Sequence, residues 1–325
     1  RGKGSIADDI YSLGATMLIM GIGHCPLAKM SESDLLAAKI EQGSFSALLA
    51  GEVVPGGLRE PLRGMLSDDP TDRWTLEDLN QWTAGTLRRS ARPVRDYKTD
   101  RPVKFREREY RNTRMLAQAY GVHWKEAAQQ IKSKAFDTWL HRGLTNADLV
   151  EHLSDLIAAS IGDDGDAGAA KLVTRVCALL DPEGPLQYKA LTVMPDGMGH
   201  ALSAAVEQDD KEIIGLVTEL VQKGIASDWF EQKIERGRND LTLEAKTFKR
   251  LQQFVRHSGP GYGVERVLYE LNPFLPCRSP VLASAYVYSL RDLLPAMDGV
   301  VAETGHMRKL LDRHIASFIA SRISV

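Results

Sequence analysis

Cysteine is scarce: Cys25, Cys177 and Cys277 are the only three in 325 residues. They are odd in number, far apart and form no C-x-x-C pair, which excludes a disulfide scaffold. They read as buried free thiols in a reducing, cytoplasmic compartment. No two histidines stand at i and i+4, so no helical zinc motif exists and no metal site is expected. No long apolar run is present. The longest, around Ala15 to Ile22, is too short and too Gly-interrupted to span a bilayer. The chain is therefore expected to be soluble, with no membrane span. No G-x-S-x-G elbow supports an acyl hydrolase. The glycine cluster Gly259-Pro260-Gly261-Tyr262-Gly263 lacks the G-K-[ST] ending of a phosphate loop, and Pro260 removes a donor N–H. No excess of one charge exists either. With 41 basic and 43 acidic residues the net charge is −2, which argues against a dedicated nucleic-acid binder.

What is present is enough apolar content, 43%, for packed cores in two or more domains. The charge is unevenly spread. Residues 1–90 carry nine basic and twelve acidic side chains, net −3. Residues 91–114 carry nine and four, net +5, and residues 115–325 carry 23 and 27, net −4. Basic charge is concentrated in a joint between two acidic parts.

The stretch Ser5 to Gly21 reads as a buried helix. Ile6, Ile10, Leu13, Met17 and Met20 recur at three- and four-residue steps and predict one packed face. Ser5 suits an N-cap, and Asp8 and Asp9 suit a first turn. Asp9-Ile10-Tyr11-Ser12-Leu13-Gly14 resembles the D-x-[WY]-S-x-G signature of protein kinases, which opens the central helix of the C-terminal lobe in that family. The resemblance continues in order. Gly23-His24-Cys25-Pro26-Leu27 is similar to the G-x-x-P-F element. Short helices are predicted over Leu35 to Gly43 and Leu58 to Leu66. Asp69-Pro70-Thr71-Asp72-Arg73-Trp74-Thr75 is similar to D-P-x-x-R-x-T, with Trp74 where the family often has Pro. Leu76, Leu79 and Trp82 begin a last helix. The positions carried over are Asp9, Gly14, Pro26 and Arg73.

The kinase set also needs a Gly-rich loop, a strand Lys, and H-R-D, D-F-G and A-P-E segments. None occurs here, and all lie before the central helix in the family. The chain is expected to be the tail of a bacterial serine/threonine protein kinase-like polypeptide: a C-lobe remnant over 1–90, a basic linker over 91–114 and an α-helical extension over 115–325. ATP and Mg²⁺ are implied for the parent and no cofactor for this chain, which should be inactive alone. The extension would regulate the kinase or recruit a protein partner or substrate. A pseudokinase-like scaffold and a stand-alone helical interaction module are the alternatives. In the family the Asp of Asp9 meets the catalytic loop, so here Asp9 is expected exposed or capping its own helix. The Arg of Arg73 pairs with the A-P-E Glu, so Arg73 is expected to find a substitute acid within 1–90 or to behave as a surface residue.

Around the joint, Arg88, Arg89, Arg92, Arg95 and Arg101 are candidate docking residues for an acidic partner or, less in keeping with the net charge, nucleic acid; a solvated linker paired with its acidic flanks is the plainer reading. Val103 and Phe105 alternate with charge, so a short hairpin with Glu109-Tyr110 is open. From Thr113 the pattern is helical almost to the end, predicting an all-α bundle or irregular solenoid. His123, Trp124, Trp139 and Leu140 resemble a short helical motif found beside varied domains in bacterial proteins, and both Trp read as core anchors. Leu243, Thr247, Leu251, Phe254 and Val255 predict one buried stripe. Helices are also predicted over Val281 to Leu294 and His306 to Ile323. Gly162-Asp163-Asp164-Gly165-Asp166 lacks the distal Glu of a calcium loop and reads as a turn. His200, His257 and His314 stand alone, and no catalytic residue is assigned in 115–325.

Overall fold

A computed structural model describes residues 4–28, 30–87, 98–162, 165–194, 197–235, 241–305 and 311–323. Those residues form seventeen α-helices and two small antiparallel hairpins, so the expected all-helical fold is present. The chain divides into two compact units at Gly184/Pro185.

The first unit opens with α1 (Ile6–Ile22). Ser5 and Asp8 exchange hydrogen bonds in a capping box, and Gly23 ends the helix in a left-handed conformation. Helices α2 (Glu32–Gln42), α3 (Ser44–Leu49), α4 (Gly56–Met65) and α5 (Leu76–Thr83) follow. Leu18, Leu48, Val54, Leu62 and Leu66 make their core. Of the predicted stripe, Ile10 is buried and Met17 packs half-buried, but the packed face is turned toward Gly14 and Leu18. Ile6 is 70% exposed, Leu13 45% and Met20 76%. The error has a physical origin. A wide apolar face offers more than one stripe, and Gly14 marks the one where α4 comes close. A Cβ there would lie 2.8 Å from that of Met65.

The described part of the basic joint is a hairpin, β1 (Lys98–Phe105) with β2 (Arg108–Asn112), pairing Val103 with Tyr110 and Lys104 with Glu109. Val103 and Phe105 face inward. Helices α6 (Thr113–Val122), α7 (Trp124–Ile131), α8 (Lys134–Gly143), α9 (Ala147–Ala159) and α10 (Asp166–Leu180) complete the unit. Asn112, Ser133 and Asn146 cap α6, α8 and α9 with side-chain oxygens. Tyr120, Phe136, Trp139, Leu153 and Val176 anchor one core, and Trp124 packs on it half-buried.

The second unit holds the hairpin β3 (Leu186–Tyr188) with β4 (Leu191–Val193), then α11 (Met198–Glu207), α12 (Lys211–Gln222), α13 (Ile225–Glu235), α14 (Thr242–Arg256), α15 (Val264–Leu271), α16 (Leu290–Thr304) and α17 (Arg313–Ile323). Between α13 and α14, Trp229 meets Phe230 edge-on and Phe230 meets the tilted Phe248 ring. The buried face of α14 is Ala245, Phe248 and Leu251, while Leu243 is 72% exposed. The helix expected over Val281 to Leu294 is instead a 3₁₀ turn at Pro280–Leu282, an irregular stretch, and then α16, whose start is set by the Ser289–Asp292 capping box. Of the helix expected from His306, residues 306–310 lie outside the described set.

Candidate functional site

The motif residues of the first unit converge on Arg73. Its Nη1 donates to the Ala7 carbonyl at 2.7 Å and its Nε to the Ser67 carbonyl at 3.0 Å. The guanidinium lies 5.0 Å from the Tyr11 ring centroid and 3.5 Å from Asp8 Oδ1. Arg73 is 6% exposed whereas Asp8 is 59% exposed. A substitute acid within 1–90 is therefore present and it is Asp8, but Arg73 is no surface residue. The two backbone carbonyls, not the solvated carboxylate, hold it.

Tyr11 leads onward. Lys39 Nζ donates to its hydroxyl at 2.8 Å, and the hydroxyl donates to Ser44 Oγ at 3.0 Å. The Ser44 hydroxyl and amide both donate to the Asp68 carboxylate. One network thus ties α1, α2, α3 and the turn before Arg73. Asp9 is exposed, and among the described residues it makes no side-chain hydrogen bond. The helix cap is Ser5 with Asp8. Pro26 is half-buried in the turn after α1. Trp74 is 1% exposed and lies over Gly64, where a Cβ would come within 2.3 Å of the indole.

The docking candidates divide. Arg88, Arg89, Arg92 and Arg95 lie outside the described residues. Arg101 is exposed on β1, and its carbonyl accepts the Trp139 indole N–H at 2.9 Å. Lys104, Arg108 and Arg111 are exposed on the same hairpin, inside the basic stretch but not singled out from it; Lys104 and Arg111 alternate with Val103, Phe105 and Tyr110, whereas Arg108 pairs with Phe105.

The two buried thiols contribute no nucleophile. Burial pushes the Cys177 thiol well above its usual range, and Asp181 adds to this. Burial also raises Cys277. Both stay protonated at neutral pH and are poor nucleophiles. Cys25, expected buried, is exposed in the turn after α1, because that turn follows the end of the packed helix. Among the described residues no three His, Cys, Asp or Glu side chains come together as a metal site. No described helix is long and apolar enough to cross a membrane.

Comparison of the chain with protein families, with curated proteins and with solved structures gives no match.

Proposed function

We propose that residues 1–90 are the C-terminal part of a protein kinase-like lobe, within a serine/threonine kinase-like polypeptide that transfers phosphate from Mg-ATP. The helical extension regulates that lobe or recruits its partners. The observation that carries this reading is the open apolar strip along α1. Ile6, Leu13 and Met20 stand exposed at the edge of the apolar face of α1, between Ile10 and the polar side that carries Asp9, Ser12 and Thr16. An apolar strip left open along a helix that packs on one side is a place for further chain. In the resembled lobe the catalytic loop occupies that place.

Phosphoryl transfer requires ATP, its metal ions and the acceptor hydroxyl to be positioned together. The motif residues here position helices instead, and none is assigned a catalytic role. The test is to produce the chain together with the sequence encoded before it and to measure phosphate transfer from labelled ATP. Transfer by the longer polypeptide and no Mg-ATP binding by this chain are expected. Saturable Mg-ATP binding by this chain alone, tighter than about 100 μM or roughly −5.5 kcal/mol, would overturn the reading. A longer polypeptide that binds partners without transferring phosphate would make it a scaffold.

A further inference from the structure

We propose that the β1–β2 hairpin is a docking strip for an acidic polypeptide segment. It names a partner class for the recruiting role given above. It relies on no phosphoryl-transfer step, so the two readings fail separately.

Arg101, Lys104, Arg108 and Arg111 are exposed on the hairpin, and none has an ion pair with a described residue. Their neighbours differ. Arg106 meets Glu126 at 3.3 Å, Arg114 meets Asp181 at 3.2 Å, and Lys125 meets Asp166 at 3.1 Å. Among the described residues these three cations have an acid within ion-pair distance and the four do not, although Glu109 stands across the strands from Lys104.

The platform is held firmly. Val103 and Phe105 are buried, and Phe105 meets the Tyr120 ring edge-on at 4.8 Å. The carbonyls of Arg101 and Lys104 accept hydrogen bonds from Trp139 and Gln130 at 2.9 and 2.7 Å. Cations on an ordered strand lose less conformational freedom on binding than cations on a coil. Three of the four are arginines, whose fork of donors matches a carboxylate.

Phosphate offers the same fork, so nucleic acid is the competitor. Two features disfavour it. Asp100, Glu107 and Glu109 interrupt the strip, with Glu109 directly opposite Lys104, and would repel a continuous phosphate backbone. The hairpin also shows no exposed aromatic ring for a base to stack on, since Phe105 is buried and Tyr110 half-buried. A peptide with spaced carboxylates can place its charges on the arginines and avoid the acids.

The experiment is fluorescence anisotropy of the full chain with a labelled oligo-glutamate peptide and with labelled oligouridine, at low and high salt. Saturable peptide binding that weakens with salt is expected. Arg101→Glu with Arg108→Glu should weaken it by about tenfold or more at unchanged melting temperature. Lys211→Glu, at a side chain 84% exposed on α12, should leave it unchanged. If the first pair of substitutions disturbs folding, Lys104→Glu with Arg111→Glu serves in its place. Absent peptide binding, insensitivity to charge reversal, or tighter binding of oligouridine would each overturn the proposal.

Discussion

Replacing Arg73 by Ala should cost roughly 2–4 kcal/mol, because two carbonyls in a buried place lose their donors. Asp8→Asn removes the exposed charge beside the guanidinium and weakens the Ser5 capping box, and should still cost no more than about 1 kcal/mol. Urea unfolding of both variants checks the order; an equal loss would mean that the ion pair, not the backbone, holds Arg73. The sequence made Arg73 legible as a motif residue but not its partners. Ala7 and Ser67 act through their main chains, and main-chain acceptors leave no mark in residue identity. Gly64 was invisible for a related reason. It reads as an ordinary helix glycine until Trp74 is seen lying on it. Gly64→Ala should cost roughly 1–3 kcal/mol by overpacking, whereas on propensity alone Ala would stabilise the helix. A rise in melting temperature would refute the contact.

Elements were more legible than the faces they bury. Ser5 marked the start of α1 and Gly43 the end of α2 because each is a local hydrogen-bonding event, whereas α2 begins at Glu32 behind its Ser31 cap, before the expected Leu35. Which side packs is decided by the neighbour, as α1 and α14 show. The two sides of α1 give a prediction. Met20→Asp, on the exposed face, should change stability by no more than about 0.5 kcal/mol, and Leu18→Ala, on the packed face, should cost roughly 2–5 kcal/mol. Similar losses from both would mean that Met20 is covered. The attachment of α17 gives another. His314 Nδ1 lies 3.1 Å from the Tyr269 hydroxyl, which also accepts the Arg278 amide N–H. Burial holds the His314 pKa below its usual value, against the opposing pull of Glu265 and Asp312, with Arg313 adding to the depression. The folded state then binds its proton less readily than the unfolded chain. Stability is full above the unfolded histidine value, near pH 6.5, and declines as the pH falls from there toward the lowered folded value. His314→Gln should flatten that decline between pH 7.5 and about 5 in thermal unfolding. A variant with an unchanged pH profile would show that His314 titrates as it does in the unfolded chain.

At the scale of the whole molecule, the division at Gly184/Pro185 follows from where the cores close. Every residue of the cluster around Tyr120 and Val176 lies before it, as does every residue of the cluster around Leu18 and Leu62. Beyond it, Trp229, Phe230, Leu251, Tyr269 and Phe318 are each 2% exposed or less. Sequence pattern drew attention elsewhere, to the basic residues 91–114, because a run of one charge looks like a joint. The described part of that run is a hairpin whose alternate residues enter the first unit's core, which charge counting does not see. Each unit thus buries its own large side chains, at about 1.5–3 kcal/mol apiece relative to exposure. Both should therefore fold when separated. Residues 1–184 and 185–325, produced as two polypeptides, are expected to unfold cooperatively in urea, each retaining the helical circular dichroism of its part of the intact chain. A second fragment that keeps its helical signal but binds a hydrophobic dye and loses its cooperative transition would show that its core depends on the first.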